Sequence, residues 1–167
     1  MSTGNNGHSK ASQLDLGIKR EDLGHIVQSL SVALASTYML YIKTQGFHWN
    51  VTGPDFYSLH KLSEGQYEDL SDAIDTIAER IRALGYPAPA SLSWFEKLSI
   101  VGPEPEQHDF KSRIRDLMAD HEAISKFLKD GFAMAENAHD HGTGDLFVER
   151  MRAHEKAAWM LRATLAE

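Results

Sequence analysis

Apolar residues recur along this chain at steps of three and four, the spacing of one face of an α-helix. Leu23, Ile26, Val27, Leu30, Leu34, Tyr38, Tyr41 and Gln45 keep that rhythm up to about Asn50. A tight turn, VTGPD at residues 51–55, comes next. Its Pro54 suits a first helical position, where a missing N–H is no loss. Phe56, Leu59, Tyr67, Leu70, Ile74, Ile77, Ile81 and Leu84 form a second stripe, with Gly85 as its C-cap. Residues 86–106 hold four of the five prolines and cannot be one helix, although SLSWFEKLS can make a short one. A third long helix is expected from about Glu106 to Ala138, with Phe110, Ile114, Leu117, His121, Ile124, Leu128 and Phe132 inward. HDHGTG breaks it, and Thr143 is placed to cap a fourth. That last helix carries Leu146, Phe147, Met151, His154, Ala158, Leu161 and Leu165. No stretch reads as a strand. The pattern predicts an all-α four-helix bundle with a long crossover between helices two and three, carrying a short helix.

Composition narrows the chemistry. The 167 residues amount to one domain: a polar tail over 1–20, poor in groups that could repay ordering, and a bundle over 21–167. No uninterrupted apolar run approaches a membrane span, and the first twenty residues lack the apolar core of a secretory signal. There is no cysteine, which excludes disulfides, thiolate metal sites and a cysteine nucleophile. The formal charge of −7 makes nucleic acid a poor default partner and favours cations. With nine histidines and no thiol, any transition-metal site must use imidazole and carboxylate.

The second helix supplies such a set. His60 and Glu64 are four apart, as are Asp75 and Glu79, so each pair shares a face. All four fall within an arc of about 100°, centred about 120° from the apolar stripe. His60 and Glu79 are nineteen residues apart, about 28 Å of helix, whereas ligands lie about 2–2.6 Å from a metal. One ion cannot touch both ends. Two copies packed antiparallel about a two-fold near Asp69 and Leu70 would bring His60 and Glu64 of one to Asp75 and Glu79 of the other. Symmetry then gives two sites about 22 Å apart. His48 lies as far before the hairpin as His60 lies after it, and it shares a seven-residue register with Leu34 and Tyr41. It is expected inward, at the height of His60. Two imidazoles and three carboxylates suit Fe(II), with Mn, Co and Zn left open by ligand type alone.

Plainer readings exist for each residue. A His60/Glu64 or Asp75/Glu79 pair alone is ordinarily solvated surface, and Glu79 could pair with Arg82 or Lys61. His48 could be a hydrogen-bonded histidine at the end of the core. Trp49 and Tyr67 read as packing residues. Glu136 and His139 form the single Glu-x-x-His pattern, the type used twice in intra-subunit di-iron sites, and without a second copy it reads as non-catalytic.

FHWNVTGPDFYSLH followed by DAIDTIAERIRALG resembles the signature of the Dps family of miniferritins, and HEKAAWMLRATL resembles that family's last helix. The likeness covers roughly residues 20–167. It implies a ferritin-like four-helix bundle assembled as a hollow homo-dodecamer, with ferroxidase centres between two-fold-related subunits. Carried over, the iron ligands are His48, His60 and Glu64 from one subunit and Asp75 and Glu79 from its mate. Glu64 stands where many members have Asp, and Trp49 where members have a tryptophan beside the centre. The resemblance implies oxidation of Fe(II), preferably by hydrogen peroxide, and storage of ferric mineral. It also implies an acidic iron-entry pore, to which Glu136, Asp145 and Glu149 are assigned. It implies a cytoplasmic protein, with DNA compaction at the nucleoid as the alternative role. Here Lys10, Lys19 and Arg20 are cancelled by Asp15, Glu21 and Asp22, so DNA binding through the tail is expected to be weak or absent.

Overall fold

The computed structural model describes residues 15–103 and 109–165. It contains α1 (Arg20–Asn50), α2 (Phe56–Ala83), α3 (Leu92–Leu98), α4 (Phe110–Asn137) and α5 (His141–Thr164), and no strand among the described residues. The four long helices form the expected bundle, with α3 in the crossover. Most of the tail, residues 1–14, and the start expected at Glu106 lie outside the described residues.

α1 is the spine. It packs against α2, α3 and α4, and Ile26, Leu30, Leu34, Leu40 and Phe47 are all buried. Ser36, Thr37 and Thr44 are buried too, and their hydroxyls donate to the carbonyls of Val32, Ala33 and Leu40 at 2.7–2.8 Å. Bonding back to the preceding turn lets small polar groups enter a core without an orphaned donor. By length and composition α1 is long and apolar enough to cross a membrane, contrary to the reading from uninterrupted runs. More than half of that window is buried inside the bundle. Its apolarity reflects partners on several sides, as expected of a central helix.

The helix ends depart from expectation in three places. Pro54 precedes the N-cap of α2, Asp55, rather than opening the helix. Gly85 lies just beyond the C-cap, Leu84, at φ 87°, a left-handed conformation that suits glycine. The cap of α5 is Asp140, not Thr143. Asp140 accepts from the Thr143 N–H at 3.1 Å and from the Thr143 hydroxyl at 2.5 Å. It is 3% exposed, and Arg80 of α2 reaches it at 2.6 Å. One carboxylate therefore caps α5 and ties it to α2. Asp140→Ala removes the cap and leaves a half-buried guanidinium without its carboxylate. We expect it to cost about 2–4 kcal/mol, read as a lowered denaturation midpoint.

The crossover is fastened by α3, whose buried Phe95 stacks on Tyr38 at 4.6 Å. α4 and α5 pack closely along their length, as do α1 and α2, whereas the seam between α2 and α5 is sparsely filled.

Candidate metal centre

The α1–α2 hairpin brings the imidazoles together. Gly53 at φ 100° turns the chain, and the Phe56 N–H donates to its carbonyl at 3.1 Å. His48, near the end of α1, then meets His60, in the second turn of α2. The rings stack with centroids 3.7 Å apart and 19° between planes.

Each histidine binds the other's backbone. His48 Nδ1 lies 2.9 Å from the His60 carbonyl, and His60 Nδ1 lies 3.0 Å from the His48 carbonyl. A carbonyl only accepts, so each Nδ1 carries the hydrogen. A neutral ring so bonded keeps its lone pair on Nε2, the atom a metal would use. The His48 carbonyl is among the last four of α1, which lack an intrahelical donor, so the His60 ring also caps that helix. Tyr67 sets its edge to His48 at 5.1 Å, and Phe56 stacks on His60 at 5.1 Å. The expectations that His48 is inward and level with His60 both hold, since His48 is only 7% exposed.

Glu64 lies one turn beyond His60 and is ion-paired with Lys61. That hydrogen bond holds its carboxyl below the usual range, with smaller contributions from the charges of Lys61, His48 and His60. Lys61, about 27 Å along the same helix from Glu79, pairs with Glu64 instead, and Arg82 donates to the Tyr86 carbonyl, so neither is the partner considered for Glu79. Asp75 and Glu79 are exposed farther along α2. Among the described residues, no three His, Asp or Glu side chains within one chain are grouped to hold a metal ion. One chain therefore presents two partial donor sets, nitrogen-rich at the start of α2 and carboxylate near its end. The donor types present fit iron.

The other assignments divide. Asp145 and Glu149 line a hollow of about 340 Å³ that also contains Glu79. Glu136 does not line that hollow; its carboxylate lies 3.1 Å from His141 Nδ1 at an exposed helix end. His139, its partner in the Glu-x-x-His pattern, occupies the turn at φ 56°. Tyr67 packs as expected, against Tyr41 at 6.1 Å, but Trp49, read as a packing residue, is 68% exposed.

One polar cluster escaped the sequence reading. His121 and His154 are buried with their Nδ1 atoms 2.9 Å apart. Burial holds His121 down at about 4, helped by the charge of Arg150, and holds His154 well below the ordinary value. Both were placed inward by periodicity. Two inward histidines on helices joined by a short turn were the available signal.

A ferritin-like domain family matches residues 27–167. DNA protection during starvation protein 2 of Bacillus anthracis is 34% identical over 140 residues, covering 84% of this chain and 96% of that protein. The chain belongs to the Dps family. Solved Dps structures superpose closely on it. DpsC from Streptomyces coelicolor gives a TM-score of 0.89 at 28% identity, over 93% of this chain and 91% of that one. Dps from Vibrio cholerae O1 gives 0.86 at 30% identity, over 95% and 100%. It is described as a member of a broad superfamily of ferritin-like diiron-carboxylate proteins. In this Dps chain the matched span includes all five candidate ligands.

Proposed function

We propose that this Dps protein is an iron-storing ferroxidase, a dodecameric shell that oxidises Fe(II) with hydrogen peroxide. The observation that carries this is the reciprocal His48–His60 clasp. It aims two Nε2 atoms from one end of α2 while Asp75 and Glu79 wait some 22 Å along the same helix. A two-fold mate running antiparallel supplies the missing carboxylates. His48, His60 and Glu64 of one subunit then face Asp75 and Glu79 of the other.

Iron is the substrate. Two Fe(II) give one electron each to one peroxide, which takes up two protons and leaves as two waters, so no hydroxyl radical is released. Anionic carboxylates stabilise Fe(III) more than Fe(II), which favours the oxidation. Asp145 and Glu149 raise the local cation concentration beside Glu79.

Anaerobic Fe(II) loading followed by peroxide titration tests this. The expected result is consumption of two Fe(II) per peroxide with no spin-trapped hydroxyl radical, by particles of about 220 kDa (twelve chains of 18.7 kDa) in light scattering. Hydroxyl release, or tight iron binding by a stable monomer, overturns the shared site. The relatives' name also points to DNA. Because residues 1–22 carry three basic and three acidic side chains, we expect no gel-shift of duplex DNA at about 0.15 M salt. A shift that survives that salt and disappears on deleting residues 1–18 would show that many tails together outweigh the missing charge.

A further inference from the structure

The three carboxylates proposed to hold iron are not alike in the iron-free chain. Among the described residues Glu64 alone of the three is ion-paired, and its partner is Lys61. Asp75 and Glu79 stand farther along α2 without a cation of their own.

The Lys61–Glu64 pair does little for the helix that carries it. Both side chains keep contact with solvent, 52% and 30% exposed, and exposed pairs of this spacing stabilise a helix only slightly. Helices also favour the acidic residue first, and here the basic one precedes.

Glu64 has other neighbours. It lies one turn beyond His60 and near enough to feel the charge of both clasp imidazoles. Its oxygens therefore face a choice between an ammonium and an ion held by those imidazoles. A carboxylate oxygen that accepts from an ammonium must give up that donor before a metal can take the same lone pair. Lys61 has room to withdraw. It also lines the hollow of about 540 Å³ in the α2–α5 seam. Lysine is a compact charge on a flexible four-carbon stem, so the exchange needs side-chain rotation and no backbone movement.

We propose that Lys61 is a resident competitor for Glu64. It holds that carboxylate in the iron-free protein, yields it to Fe(II), and so raises the iron concentration at which the centre fills. Lys61 touches no reacting atom; it is a positioning residue that acts through Glu64. This inference rests on the shared-site reading above and adds a threshold to it.

The direction of one change separates a competitor from a helper. If Lys61 blocked Glu64, removing it would tighten iron binding. If Lys61 steadied Glu64 for the metal, removing it would loosen binding.

Anaerobic equilibrium dialysis of the assembled protein against Fe(II) reads this without turnover. Binding at the centre is the part that His60→Ala loses. Lys61→Gln keeps most of the stem and drops the charge. We expect it to half-fill the centre at about two- to fivefold lower free Fe(II), with the same stoichiometry and the same denaturation midpoint. Lys61→Arg keeps a cation beside Glu64 and should stay near the parent. Lys156→Gln removes a positive charge from the same hollow at an exposed position of α5, away from Glu64, and should leave half-filling where it was. The competitor is overturned if Lys61→Gln leaves half-filling unchanged or moves it to higher iron. A lowered midpoint with unchanged half-filling would make the pair structural and overturns it too. Equal tightening by Lys156→Gln would replace competition with general repulsion between cations. If His60→Ala binds as much iron as the parent, the shared site fails and the threshold with it. A His60-dependent site indifferent to Lys61 overturns the threshold alone.

Discussion

His60→Ala and Asp75→Ala should each slow peroxide-driven Fe(II) oxidation by about a hundredfold or more, while the assembly stays intact. Outer-shell changes at metal sites already cost about 10–100-fold, and these remove donors. Were both residues ordinary exposed helix positions, each change would shift stability by no more than about 0.5 kcal/mol and leave the chemistry untouched. If, although fifteen residues apart, they serve one site as proposed, the double variant should be little worse than either single one. Mixing is the stronger test. A heterodimer of the two variants concentrates both lesions in one of its sites and leaves the other whole. Activity should return to about half per heterodimer once subunits exchange. Two inactive parents that stay inactive after verified exchange would disprove the inter-subunit site. Single variants that oxidise iron at the parental rate would disprove the metal assignment.

The second large effect is an acid limb in stability set by His121 and His154. In the unfolded chain each imidazole titrates near 6.5, whereas in the bundle burial holds His121 at about 4 and His154 well below its ordinary value. The charge of Arg150 works in the same direction on both, and Asp69 opposes it at His121. As pH falls through about 6.5, the unfolded chain takes up protons that the folded chain refuses. Stability is therefore full above about pH 6.5 and declines toward pH 4. At about 1.4 kcal/mol per unit, His121 alone accounts for on the order of 3 kcal/mol. Denaturant unfolding in phosphate-free buffer at pH 7.5 and 4.5 should show the loss. The double variant His121→Phe, His154→Leu should lose much less over the same interval. A parent protein equally stable at both pH values would show that the pair does not set the limb.

Much of this was legible in the sequence because it depends on periodicity and length. The four stripes fix four helices. The symmetric placement of His48 and His60 about the hairpin fixes their common height. The reach of one ion, set against nineteen residues of helix, keeps one chain from gathering all four donors, and the described residues of one chain hold no such group. What stayed hidden depends on tertiary choice among equivalent partners. Asp140 and Thr143 are both good caps, and only the approach of Arg80 from sixty residues away decides between them. The reciprocal Nδ1 bonds at the hairpin depend on where two backbone carbonyls fall, which side-chain patterns do not record.

The many-sided burial of α1 bears on how the chain is made. α1 precedes in synthesis everything that covers it. Its first cover, α2, begins only six residues after α1 ends, at Phe56 after Asn50, so a helical hairpin can form early. The side that meets α4 waits longer, because Phe110 lies sixty residues beyond Asn50. At about 5–20 residues per second, a ribosome needs roughly 3–12 s to bridge that gap. Throughout it, the nascent protein displays a helix whose apolarity rivals that of a membrane segment. Chaperone engagement and aggregation of stalled chains should therefore concentrate in that interval, between completion of α1 and emergence of α4.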